Sequence, residues 1–161
     1  MIRPARPADA AAIATIHARA RAGWTTFVDP ARLMQTGEGL WTERLASDEV
    51  ETRVLERDGV VAGFVSLGPA GDDDLAGEPV GEMRALYVDP DAQRRGVATA
   101  LVADAVAWAR ARGHELLVLW TLAGNAEGRA YYAATGWTCE EDTQQFDPDF
   151  GVDEIRYRLP L

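Results

Sequence analysis

The chain has one cysteine, Cys139, and two histidines, His17 and His114, in 161 residues. A lone thiol excludes an intrachain disulfide and a four-thiolate zinc site. No apolar run reaches the roughly 18 residues of a membrane span. The segment after Met1 reads Ile2-Arg3-Pro4-Ala5-Arg6-Pro7 and then an alanine-rich stretch broken by Asp9, His17 and arginines, with no uninterrupted apolar h-region. A cytoplasmic protein with no membrane partner is therefore expected. Repeats, low-complexity tracts and interdomain linkers are also lacking, so residues 1–161 are expected to form one domain. A chain of this length buries about two-thirds of its unfolded surface, and needs no metal or disulfide to hold it. Positive charge is scarce: 16 basic against 26 acidic side chains give a net charge of −10. Such a field repels phosphate backbones, which argues against nucleic acid as a partner, and it favours a cationic substrate, although it also serves solubility. A monomer or homodimer is the default expectation.

What is present alternates between β and α signals. Ile2 to Ala5 predicts an edge strand. From Pro7, the spacing of Ala10, Ile13, Ala14 and Ile16 predicts a helix. Pro30 to Ala46 reads as a second, weaker helical region, with Leu33, Leu40, Trp41 and Leu45 apolar and Gly37 and Gly39 interrupting. Glu51 to Glu56 and Val60 to Leu67 predict a hairpin turning at Arg57-Asp58-Gly59. The loop from Gly68 to Pro79 includes Asp72, Asp73 and Asp74, read as a solvated loop and not a metal site, because adjacent like charges repel. Glu82 to Val88 is a strand stopped by Asp89-Pro90. A helix over Arg94 to Arg112 follows, ended by Gly113. Leu116 to Trp120 is continuously apolar, as in a strand covered on both faces. The crossover helix should make these two strands parallel. A helix over Ala126 to Thr135 and strands over Trp137 to Phe146 and Val152 to Leu159 complete the α/β order.

The turn Gln93-Arg94-Arg95-Gly96-Val97-Ala98 joins a strand to a long helix. The first backbone N–H groups of a helix lack intrahelical partners and, with the positive dipole end, form an anion site. Gly96 and Ala98 are small enough for a pyrophosphate to approach the backbone. The turn is neither a Walker turn nor the three-glycine dinucleotide fingerprint. Leu86-Tyr87-Val88-Asp89-Pro90 followed by Gln93-x-x-Gly96-x-Ala98 resembles the acetyl-CoA signature of the GNAT superfamily of N-acetyltransferases. Downstream, Asn125, Gly128, Tyr131, Tyr132, Gly136 and Trp137 resemble the family's Asn-x-x-Ala-x-x-Phe-Tyr-x-x-x-Gly-Phe segment. Gly128, Tyr131 and Trp137 depart mildly from it. The match covers residues 80 to 137 firmly and extends elsewhere only in element order.

The resemblance implies a mixed central sheet whose two parallel strands splay, flanked by helices, with acetyl-CoA lying in the gap. It places backbone groups of Leu86 and Val88 on the pantetheine and acetyl carbonyl. It also places the backbone of Gln93, Arg94, Arg95, Gly96, Val97, Ala98 and Thr99 on the pyrophosphate, and Asn125 on the cofactor arm. The acceptor amine would attack the thioester directly. Tyr132 matches the family's general acid, a phenol protonated at neutral pH. Glu82, at the start of the strand leading into the turn, is the expected base; a solvated strand-end carboxylate is the other reading. Trp24, Phe27 and Trp41 are expected to wall the acceptor pocket, suiting a small primary amine with an apolar body. His17, on the helix that borders this pocket in the family, is given no direct role. Tyr131, His114 and Cys139 are read as structural. The competing readings are protein or peptide N-acetylation, a non-catalytic acyl-CoA-binding module and a nucleotide-binding α/β protein.

Overall fold

The computed structural model describes residues 1–33 and 37–161. Its strands are β1 (Ile2–Pro4), β2 (Glu51–Arg57), β3 (Val60–Pro69), β4 (Val80–Val88), β5 (Leu116–Leu122), β6 (Thr138–Asp147) and β7 (Val152–Pro160). Its helices are α1 (Ala10–Ala20), α2 (Pro30–Leu33), α3 (Glu38–Leu45), α4 (Val97–Ala111) and α5 (Ala126–Ala134). The seven strands form one mixed sheet in the order β1-β2-β3-β4-β5-β7-β6, in which only β4 and β5 run parallel. This is the α/β architecture expected from the sequence, with helices on both faces.

The faces follow from strand periodicity. Adjacent side chains of a strand point to opposite sides, and Val54 and Leu55 of β2 enter different apolar clusters, as do Phe64 and Val65 of β3. One cluster packs α4 against the sheet through Val97, Leu101, Ala105 and Trp108. Burying Leu101 completely contributes roughly 2–3 kcal/mol. The other packs α1 and α3 through Ile13, Ile16 and Trp41 against Val54 and Phe64. Across the first interface Arg53 binds Asp104, and Glu51 accepts from Trp108 Nε1 at 3.0 Å and Arg112 at 2.7 Å.

Local chemistry sets the boundaries. Asp58 (φ 51°) and Gly59 (φ 78°) both adopt the left-handed conformation, as a two-residue hairpin turn requires. The expected helical region over 30–46 is divided: α2 ends at Leu33 and α3 begins after Gly37, whose extended backbone (φ −117°, ψ 169°) caps it. Residues 34–36 of that expected region lie outside the described residues. The helix expected from Arg94 starts instead at Val97, because Arg94 (φ 59°) and Gly96 (φ 78°) are left-handed and cannot continue α4 backwards.

The splay of the parallel pair has a visible cause. β4 and β5 are in register only at Val80↔Leu116, Gly81↔Leu117 and Glu82↔Val118, although both strands continue. Beyond Glu82, the register of β4 on β3 jumps from Leu67↔Met83 to Ser66↔Ala85, leaving Arg84 as an extra residue. A bulge bends its strand and increases its twist, so Ala85 to Val88 follow β3. β5 stays with β7 along its whole length, from Leu116↔Pro160 to Leu122↔Glu154. The gap opens between them.

Candidate active site

Two cavities meet at the gap and share Trp24, Leu86, Tyr87, Asn125 and Tyr132. The first, of about 660 Å³, lies under the start of α4 and is lined by Leu86, Val88, Gln93, Arg94, Gly96, Val97, Ala98, Thr99 and Asn125. The first hydrogen bond of α4 runs from the Ala100 N–H to the Gly96 carbonyl at 3.0 Å. The N–H groups of Val97, Ala98 and Thr99 therefore have no acceptor within the helix. With the left-handed turns at Arg94 and Gly96, they line a concavity whose unpaired N–H groups are chemically suited to an anion.

This turn is braced on both sides. Arg19 of α1 binds Asp89 at 2.6 Å and Asp91 at 2.9 Å. Arg57, at the end of β2, donates to the Arg95 carbonyl at 2.9 Å. Arg95 itself does not line the cavity. Its place in the turn is as an acceptor for Arg57.

Tyr132 stands where the cavities meet, on α5. Asn125 caps this helix, its Oδ1 accepting from the Gly128 N–H at 3.1 Å and its Nδ2 donating to Thr121 Oγ1 at 3.3 Å. Gly128, which replaces the family's alanine, lies directly under that cap: a Cβ there would meet Asn125 Nδ2 at 2.5 Å. The ring of Tyr132 packs on Trp137 and Tyr157, with centroids 5.8 and 5.6 Å away. Burial drives its phenol well above the usual tyrosine range, so it is protonated across neutral pH. Tyr131, expected in the core, lines the cofactor-side cavity instead.

The second cavity, of about 760 Å³, is lined by Trp24, Tyr87, Trp120 and Phe150 and by six carboxylates, Asp72, Asp73, Asp74, Glu82, Asp147 and Glu154. Only two guanidiniums, Arg84 and Arg156, oppose them there. Glu82 sits at the last parallel register pair, where the splay begins. Its carboxylate is largely buried and 3.4 Å from Arg84. Burial raises its pKa above the ordinary carboxylate value, with Asp72 and Glu154 adding to the rise and Arg84 opposing it. A raised pKa makes it a stronger base than an exposed glutamate.

The expected aromatic wall is only partly realised. Trp24 lines both cavities. Phe27 stands behind the wall, against Gly124 and 6.0 Å from Trp24; a Cβ at Gly124 would meet its ring at 2.7 Å. Trp41 is a correction: at 1% exposure it belongs to the core and lines neither cavity. Its Nε1 donates to His17 Nδ1 at 3.3 Å, and His17 is further enclosed by Phe64 and Tyr87. Burial lowers the His17 pKa to about 3, so this imidazole is neutral and structural.

The aspartate triplet is solvated as expected at Asp73 and Asp74, which are exposed, while Asp72 is half-buried. Asp74 makes a two-pronged ion pair with Arg156 at 2.7 and 2.8 Å, and Asp72 accepts from Trp120 Nε1 at 3.0 Å. The loop is tied to the sheet. Among the described residues no group of three or more His, Cys, Asp or Glu is placed to hold a metal ion, and no helix is long and apolar enough to cross a membrane. Sequence reasoning missed Tyr87, Trp120, Phe150 and Arg156 as cavity residues. The available signal was Arg156 itself, a charge inside the strand run Val152 to Leu159, with an excess of aspartate elsewhere to receive it.

The gap between the splayed parallel strands thus has a helix start with unpaired amides on one side and a buried tyrosine at its centre. Residues 17–137 match the model of the Acetyltransferase (GNAT) family, and the chain belongs to that family. It is 34% identical over 138 residues to a mycothiol acetyltransferase of Sanguibacter keddieii, covering 85% of this chain and 43% of that protein. It spans less than half the length of the curated relatives it matches. Among solved structures, a putative acetyltransferase from Salmonella typhimurium with its cofactor acetyl-CoA is 26% identical, with a TM-score of 0.74 over 100% of this chain and 93% of that one. A ribosomal-protein-alanine N-acetyltransferase from Brucella melitensis is 27% identical, with a TM-score of 0.73 over 100% and 99%.

Proposed function

We propose that this protein is an acetyl-CoA-dependent N-acetyltransferase for a small, cationic primary amine, with Tyr132 as general acid and Glu82 as general base. The observation that carries the reading is the junction of the two cavities at Tyr132, one built for an anion and the other lined by carboxylates. The residues of the first cavity fit the cosubstrate: free amides of Val97 to Thr99 receive the pyrophosphate, and the gap-facing edge of β4 at Leu86 to Val88 receives the extended arm. Bound there, acetyl-CoA supplies an acyl group activated as a thioester.

The residues of this chain then manage two protons. Glu82 takes one from the ammonium entering the acidic cavity, directly or through water, which frees the nitrogen lone pair for attack. Tyr132 gives one to the departing thiolate and is restored by the second proton that the nitrogen loses as the amide forms; its raised pKa keeps the phenol protonated until then. Trp24, Tyr87, Trp120 and Phe150 exclude water from the acceptor and favour an apolar body on the amine. The relatives named mycothiol acetyltransferases agree with a small-molecule acceptor. The ribosomal-protein neighbour makes a peptide N-terminus the competing acceptor.

The test is thiol release from acetyl-CoA across polyamines, aryl-alkyl amines, amino acids, aminoglycosides and short peptides. The chain contains no lysine, so acetylation of its own side-chain amines adds no background. Turnover confined to small cationic amines is expected. Turnover confined to peptides would replace the small-molecule reading, and folded protein that binds coenzyme A but acetylates nothing in the panel would support a binding module.

A further inference from the structure

Arg156 is the most deeply buried charged side chain of the acceptor cavity, with 4% of its side chain exposed, and the proton transfers above do not use it. It rises from β7 and gathers three acidic residues. Its Nε donates to Glu140 of β6 at 2.6 Å, both terminal nitrogens reach Asp74, and Asp72 Oδ2 lies 3.7 Å from it. Its guanidinium also stands over the Trp120 ring, 5.6 Å from the centroid, while Trp120 Nε1 donates to Asp72. Asp72 and Asp74 belong to the segment 70–76 between β3 and β4, and Gly71, Asp72, Asp73 and Asp74 line the cavity beside Glu82. A buried cation is costly to place in a protein interior unless its hydrogen bonds are met, and here most of its acidic partners come from a loop that is also tied to β5 by Trp120 and to β4 by the Ala70 N–H on the Val80 carbonyl.

We propose that Arg156 is a positioning residue: by gripping Asp74 and facing Asp72, it holds segment 70–76 against Glu82, closing one wall of the acceptor cavity and setting the basicity of that carboxylate. This rests on the reading of Glu82 as the base. The groups that face Glu82 are Arg84 from its own strand, Asp72 and the Gly71 amide from the segment, Glu154 from β7, and the uncharged Val118 from β5. Releasing the segment admits water to Glu82 and withdraws the Asp72 charge, and both changes lower its pKa. Loss of the Gly71 amide acts the other way but ranks below burial.

Removing the guanidinium would leave Asp72 without its cation and Glu140 with the longer contact to Arg158 at 3.4 Å, so the informative variant is Asp74→Ala, whose side chain is 61% exposed. In the full chain, the Glu82 side-chain carboxyl carbon is titrated by NMR, with its resonance assigned by its loss in Glu82→Gln. The kinetics of wild type, Asp74→Ala and Arg156→Lys are measured beside it. Asp74→Ala should lower the Glu82 midpoint and raise KM for the amine about three- to tenfold, with KM for acetyl-CoA within about twofold of wild type. Arg156→Lys should fall between them, because it keeps the charge but loses the fork. An unchanged Glu82 midpoint in folded Asp74→Ala would overturn the proposal, and a lowered melting temperature with that midpoint unchanged would reduce Arg156 to a structural ion pair. The titration needs no turnover: absence of acetyl transfer in the wild type would defeat the functional reading and leave this one to be decided by the midpoint.

Discussion

Tyr132 and His17 show how one physical term, burial, produces opposite consequences in two residues. For the phenol, burial disfavours the charged form and so preserves the proton; for the imidazole it disfavours the charged form and so removes it. Tyr132→Phe should therefore lower kcat by about 100-fold, the usual scale of a lost general acid, while the Kd for coenzyme A measured by calorimetry stays within about twofold. Equal losses in kcat and in binding would show that Tyr132 holds the cofactor and does not donate. His17 makes a different prediction, about stability. Its folded pKa of about 3 lies below the ordinary 6.5, so between these values the unfolded chain takes up a proton that the folded chain refuses. The stabilisation is complete above pH 6.5 and is lost as pH falls, by about 1.4 kcal/mol per unit. Glu82 and Glu154, whose pKa values are raised by burial, act in the opposite sense. The two glutamates are common to wild type and His17→Gln, so the difference between the two proteins isolates the histidine. Urea unfolding at pH 7.5 and 5.0 should show wild type losing about 2 kcal/mol more than His17→Gln across that interval. Parallel losses would mean that His17 is hydrated in the folded state.

At the scale of elements, the turn before α4 is the part that demands a particular backbone. Gly96 at φ 78° has open space around its missing Cβ, so its constraint is conformational and not steric contact with neighbours. Gly96→Ala should strain the turn by roughly 1–2 kcal/mol and raise the Kd for coenzyme A about tenfold, with little change in KM for the amine. An unaltered Kd would remove the turn from the anion site. This turn, the crossover helix and the α5 segment were legible in the sequence because local rules govern them: small residues at a helix start, a 3.6-residue apolar period, a glycine stop. The sheet was legible too, strand by strand, through alternation and the hairpin signal at Asp58-Gly59. What could not be read were contacts closed by strands distant in sequence. Trp41 looked like a pocket aromatic, yet the fold turns it onto His17 and Phe64. The ion pairs of Asp72 and Asp74 were not readable because the partner, Arg156, lies 82 residues from Asp74. The acceptor side of the site is assembled almost wholly from such contacts, whereas the cofactor side is assembled mostly from one contiguous turn.

Across the whole molecule, charge and cavity chemistry agree in sign. The chain carries −10 overall, and the acceptor cavity concentrates six carboxylates against two guanidiniums, while the cavity under α4 has helix amides and Arg94 with a single carboxylate, Glu127. On the proposed reading the two cosubstrates would be sorted before they meet: the acidic mouth repels an anionic pyrophosphate and draws a cation. On that reading, opposed chemistry in cavities that share Tyr87 and Tyr132 would keep each ligand from occupying the other's place, a specificity that aromatic walls alone do not provide. The consequence is measurable. Attraction between an exposed acidic mouth and a cationic amine is screened over about 8–10 Å at physiological salt, so kcat/KM for the amine should fall several-fold between 20 and 300 mM NaCl. The chemical step occurs in the enclosed gap and should leave kcat nearly level over the same range. KM for acetyl-CoA should hold steady or improve with salt, because the net negative field opposes its approach. A salt-independent kcat/KM for a cationic amine, or equal activity toward an amine with a neighbouring carboxylate, would separate the acidity of this protein from its choice of acceptor and leave that choice to the aromatic wall of Trp24, Trp120 and Phe150.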